Sequence, residues 1–187
     1  SQEEVLRVPG PEAADGAPIV LSEEQQAAYD GVLERLAAGE AACSLLYGVT
    51  GSGKTSVYIR LLQEVVRRGR QGLMLVPEIA LTPQMMSRFS AYFGGRVAML
   101  HSGLRMSERY DQWKRVRRGE VDVVLGTRSA VFAPLENLGM IILDEEHEGS
   151  YQSENPPRYH TRDVAKFLCS QHNAVLVQRN FATSRVW

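Results

Sequence analysis

The sequence has few of the features that mark several large classes of protein. Its 187 residues include only two cysteines, Cys43 and Cys169, which lie far apart and form no CxxC pair. That spacing predicts neither a disulfide framework nor a zinc site, and we expect two buried free thiols in a reducing compartment. No run approaches the roughly 20 apolar residues of a membrane span, and no signal-peptide pattern is seen. A cytoplasmic protein with no membrane partner is therefore expected.

The chain also lacks a strong excess of either charge. Its formal net charge is -1 at pH 7, which does not favour a protein that binds nucleic acid through its overall field. Any contact with DNA must therefore come from a local patch. The composition is 44% hydrophobic and 23% charged, which is ordinary for a soluble globular domain and sufficient for a core.

The order of apolar segments predicts one α/β domain. Residues 1–20 are rich in proline and glycine and are expected to be a linker or a disordered start. Residues 21–177 form the predicted domain, and residues 178–187 an atypical tail. Helices are predicted over 22–38, from the glycine-rich loop to 69, over 107–119 and near 162–170. Ser22 followed by Gln25 predicts a capping box for the first of these, Tyr58 belongs to the apolar stripe of the second, and Ser107 is expected to cap the third. Strands are predicted over 44–47, 73–76, 97–100, 121–125, 140–143 and 174–177. Buried strands that alternate with helices indicate a mostly parallel sheet covered on both faces, and we predict a RecA-like fold.

A glycine-rich phosphate-binding motif follows the first predicted strand. Residues 48–55 read GVTGSGKT and match the pattern GxxxxGK[ST]. Its glycines allow the backbone to approach phosphate oxygens, while its N–H groups and the following helix N-terminus face the anion. We expect Lys54 to contact the β- and γ-phosphates of ATP and the Thr55 hydroxyl to ligate Mg²⁺. The other predicted nucleotide-binding residues of this P-loop are Gly48, Gly51, Ser52 and Gly53.

A second motif, DEEH, follows the buried strand at 140–143. Asp144 stands at the strand end and is expected to hold Mg²⁺, directly or through water. Glu145 is then placed to take a proton from the attacking water, and His147 could sense the nucleotide or link its state to DNA. Ligands of such sheets bind at the carboxyl ends of the strands. We therefore predict that Lys54 and Asp144 lie together around one magnesium-bound triphosphate.

These motifs, with four others, resemble the first helicase lobe of the PriA family of primosomal, replication-restart helicases in superfamily 2. The other matching stretches are LVPEIALTPQ at 75–84, LHSGL at 100–104, GTRSA at 126–130, and RYH at 158–160 followed by Arg162 and Asp163. The resemblance implies a P-loop NTPase lobe of a 3′–5′ DNA helicase that couples ATP hydrolysis to unwinding at stalled forks. Gln25 stands where helicases of this superfamily carry the glutamine that reads the adenine edge.

The resemblance also implies residues that border the DNA path: Pro77, Glu78, Thr127 and Arg128. Arg128 can grip a phosphate with two donors, although an arginine there can also form a structural ion pair. Tyr151 and Tyr159 flank a polar loop that resembles the family's aromatic-rich coupling loop, and their rings can stack on bases or anchor the loop to the core. We interpret the basic run at 114–118 as solvated cations at a helix C-terminus, Met106 and Trp113 as packing residues, and His101 as a structural histidine.

Some parts of the family pattern are not seen in this chain. The family's second lobe, which supplies an arginine finger, and its DNA-binding domains are not recognised in the sequence. We therefore expect these, DNA and possibly primosome proteins to be partners, and the chain alone to bind nucleotide, hydrolyse ATP weakly and unwind little. The alternatives are a non-enzymatic paralogue that binds ATP or DNA and regulates a complete helicase, and another superfamily 2 DNA translocase.

Overall fold

The computed structural model describes residues 16–46, 53–144 and 160–179. Within these ranges a six-stranded sheet is flanked by helices. The strands are β1 (Ala42–Leu46), β2 (Gln71–Leu75), β3 (Val97–Leu100), β4 (Val123–Gly126), β5 (Leu138–Leu143) and β6 (Val175–Arg179). The helices are α1 (Glu23–Ala38), α2 (Gly53–Arg67), α3 (Pro83–Phe93), α4 (Met106–Arg117) and α5 (Thr161–His172), with short 3₁₀ turns at Glu78–Ala80, Gly94–Arg96 and Arg128–Phe132.

All neighbouring strands of the sheet are parallel, in the order β1-β6-β5-β2-β4-β3. The central strands β2, β4 and β5 are buried along their whole length, as expected where helices cover both faces of a sheet. Because the strands are parallel, all their carboxyl ends lie at one edge. The sequence prediction of an α/β fold with a parallel sheet is confirmed.

Two apolar clusters, one on each face of the sheet, form the core. Along β2, Met74 contributes to the cluster that also contains residues of α1, α2 and α3, whereas Leu73 and Leu75 contribute to the cluster that contains residues of α4 and α5. This alternation follows from the two-residue period of a strand. Helices therefore pack against both faces of the central strands. This packing fixes the positions of the carboxyl ends of those strands.

Local sequence signals account for the ends of several helices. Ser22 and Gln25 form the predicted capping box at the start of α1, and Gly39 ends that helix at φ 73°. The start of α4 was predicted wrongly. The helix begins at Met106, and the Glu108 side chain accepts a hydrogen bond from the Arg105 N–H at 2.8 Å. Ser107 therefore lies inside the first turn and is not the capping residue.

Three other expectations differ from the structure. Helix α3 was not predicted, although Thr82 caps it and Pro83 opens it, a combination typical of helix starts. Met106 was expected to pack in the core but is 82% exposed. Cys43 is exposed on β1, and only Cys169 is buried as expected. Among the described residues, β1 is an edge strand of the sheet, and its position there accounts for the exposed thiol.

The described end of the predicted linker, residues 16–20, lies against the domain. The Ala17 carbonyl oxygen accepts a hydrogen bond from the Tyr92 hydroxyl at 2.5 Å, and the Ile19 carbonyl oxygen accepts one from Arg60 at 3.1 Å. A β-carbon on Gly16 would lie 2.6 Å from the Tyr92 ring. This segment therefore packs against both α2 and α3 on the outside of the domain. No described helix is long and apolar enough to cross a bilayer.

Candidate functional site

Lys54 and Asp144 meet at the carboxyl edge of the sheet. Lys54 is the second residue of α2, and Asp144 immediately follows β5. The Lys54 Nζ atom lies 3.1 Å from Asp144 Oδ2 and 3.4 Å from Oδ1. The Asp144 side chain is 1% exposed and that of Lys54 is 13% exposed. The sequence analysis predicted this proximity of two residues that stand 90 positions apart.

Backbone hydrogen bonds fix the position of the carboxylate. The Asp144 N–H donates to the Leu75 carbonyl oxygen at 2.9 Å, so the residue continues the pairing of β5 with β2. β5 is a central strand with buried side chains throughout. A buried carboxylate is costly unless it is paired and hydrogen-bonded, and Lys54 supplies the opposite charge. The pair therefore holds the start of α2 against the end of β5.

Tyr58 is a member of this site that the sequence analysis assigned to the core. Its hydroxyl donates a hydrogen bond to Asp144 Oδ1 at 3.1 Å, and the residue is fully buried. Tyr58 lies one helical turn after Lys54, so both side chains share a face of α2. The available signal was this four-residue spacing from the P-loop lysine. It was missed because Tyr58 also fits the apolar stripe of the helix.

The start of α2 is held in place by Gln25. The Gln25 Nε2 atom donates a hydrogen bond to the Gly53 carbonyl oxygen at 3.3 Å, and its Oε1 atom accepts one from the Ser22 N–H at 2.8 Å. A β-carbon on Gly53 would lie 2.4 Å from Gln25 Nε2. A side chain at this position would therefore have to displace the Gln25 amide from its hydrogen bond to the start of α2. Gln25, which was predicted to read adenine, lies beside the P-loop in the structure.

The residues at this edge fit a magnesium-bound nucleotide. Thr55 and Asp144 are both buried and offer a hydroxyl and a carboxylate, which are ligands that Mg²⁺ accepts. No group of three or more His, Cys, Asp or Glu residues that could hold a metal occurs among the described residues. Mg²⁺ commonly uses one or two protein ligands and completes its shell with water and substrate phosphates. Two protein ligands, Thr55 and Asp144, therefore suit a Mg²⁺ ion that binds together with the phosphates of a nucleotide.

A second cavity at the same edge contains the four described residues that were predicted to border DNA. Pro77, Glu78, Thr127 and Arg128 line a space of about 490 Å³, together with Val76, Ile79, Ser102, Arg109 and Ser129. We call this space the carboxyl-edge cavity. Its residues follow β2, β3 and β4, or lie on the helix after β3. The structure thus brings together residues from LVPEI, LHSGL and GTRSA that are far apart in sequence.

The floor of the carboxyl-edge cavity is tightly constrained at GTRSA. A β-carbon on Gly126 would lie 2.4 Å from the Leu100 carbonyl oxygen and 2.6 Å from the Ala130 β-carbon. The Thr127 N–H donates to the Leu100 carbonyl oxygen at 3.2 Å. Glycine is therefore needed here for close approach of β3 to the 3₁₀ turn that follows β4. These contacts fix the backbone immediately before Arg128 and so determine where its side chain begins.

Several predicted site residues lie outside the described residues. These are Gly48, Gly51 and Ser52 of the P-loop, Glu145 and His147 of DEEH, and Tyr151 and Tyr159 of the polar loop. Their assignments remain predictions. His101 of LHSGL was interpreted as structural, and its Nδ1 atom accepts a hydrogen bond from the Gly103 N–H at 3.1 Å. That contact closes the turn after β3.

Comparisons with known proteins relate this site to helicases. A family model described as DEAD/DEAH box helicase matches residues 22–177. The chain is similar to the replication restart protein PriA of Bacillus subtilis, with 50% identity over 160 residues, which is 86% of this chain and 20% of the relative. It is also similar to the replication restart protein PriA of Synechocystis, with 54% identity over 123 residues, covering 65% of this chain and 15% of the relative.

A solved structure shares the fold. It is described as RecG bound to a three-way DNA junction, and it covers 90% of this chain and 22% of its own with a TM-score of 0.60 and 24% identity. At that identity the likeness supports a RecA-like lobe and nothing more. The chain spans about a fifth of the length of the B. subtilis relative. The family model nevertheless covers most of this chain, and with the lysine–aspartate pair in place the conclusion is direct: the chain belongs to the DEAD/DEAH box helicase family.

Proposed function

We propose that this chain is the ATP-binding first lobe of a 3′–5′ DNA helicase that acts in replication restart and couples ATP hydrolysis to DNA unwinding. The observation that carries the proposal is the 3.1 Å contact between Lys54 and Asp144. It joins the P-loop helix to the end of a central strand, and a P-loop NTPase needs a lysine and a carboxylate on opposite sides of one nucleotide. The similarity to PriA relatives supports replication restart as the process.

The residues of this chain have distinct roles in that proposal. Lys54 places a positive charge beside the β- and γ-phosphates of ATP, and the N-terminus of α2 adds the partial positive charge of its unpaired N–H groups. Thr55 and Asp144 would hold Mg²⁺, which neutralises phosphate charge when it is bound. Tyr58 keeps the Asp144 carboxylate oriented through its 3.1 Å hydrogen bond. Glu145 follows Asp144 directly and is proposed as the base that takes a proton from water.

The carboxyl-edge cavity is proposed as the path of a DNA strand. Arg128 offers several donors to a phosphate, and Arg109 lines the same cavity. The buried Thr127 and Pro77 hold the backbone at the ends of β4 and β2. The end of β2 borders both sites, because the Asp144 N–H donates to the Leu75 carbonyl oxygen and Val76 and Pro77 line the cavity. A movement of that edge on nucleotide binding would therefore reach the DNA contacts.

The complete enzyme is proposed to include parts beyond this chain. A second helicase lobe would supply an arginine finger across the nucleotide, and DNA-binding domains would recognise the fork. We propose that the protein works in the cytoplasm with DNA and with primosome proteins. In related phosphoryl transfer the finger contributes roughly 10³–10⁵ in rate. The 187-residue chain by itself should therefore bind ATP but hydrolyse it slowly and unwind DNA negligibly.

Titration with a fluorescent ATP analogue, with and without Mg²⁺, tests the central assignment. Lys54→Ala should weaken binding by about 10- to 150-fold, because it removes charge-assisted hydrogen bonds worth roughly 1.5–3 kcal/mol. Lys166→Ala, at an exposed position on α5, is the matched control and should bind like the parent chain. Thr55→Ala should lose the part of the affinity that depends on Mg²⁺.

Thermal melting of each variant separates loss of binding from loss of folding. Lys54→Ala leaves a buried carboxylate without its lysine, so a moderately lower melting temperature is expected. Asp144→Asn replaces the carboxylate with a neutral amide of the same shape. This variant should stay folded, and its nucleotide affinity should no longer depend on Mg²⁺. Equal nucleotide affinity of folded Lys54→Ala and the parent chain would remove the nucleotide assignment and the proposed function with it.

A further inference from the structure

An apolar cavity of about 410 Å³ lies beside the carboxyl-edge cavity and has no part in the function proposed above. We call it the aromatic pocket. It is lined mainly by Leu100, Met106, Tyr110, Trp113, Ala130 and Phe132. Its walls are the end of β3, one side of α4 and the 3₁₀ turn after β4. Its volume falls within the range of about 300–1,000 Å³ that is typical of small-ligand pockets.

The aromatic pocket exposes large side chains that folding alone does not explain. Met106 is 82% exposed, Tyr110 is 61% exposed and Phe132 is 51% exposed. Helix α4 anchors to the core through Val116, with Trp113 partly buried against the same cluster. Met106 and Tyr110 are one turn apart, so they share a side of α4 that is not needed for that anchoring. Grouped apolar exposure of this kind marks a binding site.

The charges around the aromatic pocket favour an anionic ligand. His101 and Arg109 are among the described lining residues, and none of those residues is acidic. The Lys114 Nζ atom lies over one face of the Tyr110 ring, 4.8 Å from its centre, so a cation holds that face and leaves the other for a ligand. Glu108, in the first turn of α4, accepts the Arg105 N–H at 2.8 Å. Among the described lining residues the only side chain with a fixed charge is Arg109, and its charge is positive.

The aromatic pocket is continuous with the carboxyl-edge cavity. Arg109 and Ser129 line both spaces. A nucleic-acid strand with a phosphate on Arg128 would therefore lie beside an aromatic, apolar recess, because Ser129, the next residue of the protein, lines that recess. Nucleic acid alternates an anionic backbone with flat apolar bases, and its bases stack on aromatic side chains without regard to sequence. The arrangement of a basic groove and an adjoining aromatic recess matches that alternation.

We propose that the aromatic pocket receives one unstacked base of the single DNA strand whose phosphates follow the carboxyl-edge cavity. The inference rests on the proposed function, since it assumes that DNA occupies that cavity. Tyr110 provides the stacking surface, and Met106 and Phe132 close the recess around the base. The pocket thereby fixes the register of the strand on this lobe. It is sequence-tolerant, because every base has a face that can stack.

Binding of a fluorescent oligothymidylate about ten nucleotides long tests the proposal. The comparison strand has the same phosphates but an abasic sugar at every position. The parent chain should bind the thymidine strand at least about fivefold more tightly than the abasic strand. Tyr110→Ala should lose that preference, and Tyr110→Phe should retain it because the ring remains. Phe167→Ala is the matched control, since Phe167 is also 61% exposed but lies on α5.

Photocrosslinking gives a second readout that does not depend on a variant. A strand with one central 5-iodouracil should crosslink to the peptide that contains Tyr110 and Trp113, or to the one that contains Phe132. A base preference that survives Tyr110→Ala in the folded chain, together with crosslinks only to other peptides, would overturn the proposal. That outcome leaves the proposed function intact.

Three other outcomes also decide the matter. If the parent chain binds both strands equally, the bases do not enter a pocket, and the inference fails although DNA binding stands. If it binds neither strand at low salt, the DNA part of the proposed function fails, and this inference falls with it. Capture of a protein partner by the aromatic pocket, with DNA binding unaffected by Tyr110→Ala, would likewise refute a role in holding bases.

Discussion

At the scale of single residues, the site is a small network around one buried carboxylate. Asp144 contacts Lys54 at 3.1 Å and accepts the Tyr58 hydroxyl at 3.1 Å. Motif spacing predicted the first contact because both residue types are needed by the chemistry. It could not predict the second contact, because packing in the core is a sufficient explanation for a tyrosine in the apolar stripe of a helix. Only the register of α2 against β5 decides which atom the hydroxyl meets.

Tyr58→Phe should destabilise the chain by about 1–3 kcal/mol, because it removes a donor from a buried carboxylate while keeping the ring. Denaturant unfolding at neutral pH measures this difference. The matched control is Tyr29→Phe on α1. Tyr29 is 6% exposed, and among the described residues its hydroxyl makes no hydrogen bond. Equal stability losses in the two variants would show that the Tyr58 hydroxyl has no special partner.

At the scale of helices and strands, the sequence was most informative where a chemical signal marks an end. The Ser22–Gln25 box and Gly39 correctly bounded α1. The same type of signal failed at Ser107, because the first turn of α4 is capped through its third residue and not by a hydroxyl. Serine before a polar run is therefore a weaker signal than serine with a glutamine or glutamate three residues later.

Strand positions were predicted to within a few residues, and their pairing was not. Buried apolar runs identify β2, β4 and β5, but a run of four to six such residues contains no information about its neighbour. The placement of β6 between β1 and β5 depends on long-range packing of α5. Helix α3 was readable from Thr82 and Pro83, which signal a helix start. Both residues belong to the LTPQ stretch, which was interpreted only as part of the family resemblance.

Paired substitutions test the capping interpretation. Ser22→Ala should cost about 1 kcal/mol, since it removes a side-chain cap of α1. Ser107→Ala should change stability by less than about 0.5 kcal/mol, because alanine favours a helix interior and no cap is lost. In a chain of this size the first change lowers the melting temperature by roughly 2–4 °C. A larger loss for Ser107→Ala than for Ser22→Ala would contradict the assigned helix starts.

At the scale of the whole molecule, the two thiols differ in solvent exposure because they lie at different places in the assembled sheet. Cys43 is exposed on the edge strand β1, whereas Cys169 is buried on the core-facing side of α5. Burial raises the pKa of the Cys169 thiol to about 12, with Cys43 adding to the shift. The composition could not distinguish them, because cysteine is common in cores and the edge position of β1 is a property of the assembled sheet.

Thiol labelling of the folded chain at pH 8 should therefore proceed in two steps. Cys43 should react rapidly, and Cys169 should react only when α5 opens or the domain unfolds. A saturating nucleotide should slow the second step, because it stabilises the folded state by mass action. Cys43→Ser should abolish the fast phase, and Cys169→Ser the slow one. Rapid reaction of both thiols would show that α5 does not cover β5 and β6 as described.

The ion pair between the P-loop helix and β5 also bears on which ligands the lobe admits. A lysine already held by a carboxylate gains little from a lone sulfate or inorganic phosphate, because taking the anion would leave the buried Asp144 without its opposite charge. A triphosphate that carries its own divalent cation removes that penalty, since Lys54 and Asp144 then each exchange one partner for another. The lobe would thus bind the simple anions of its surroundings weakly and respond to the metal-complexed nucleotide.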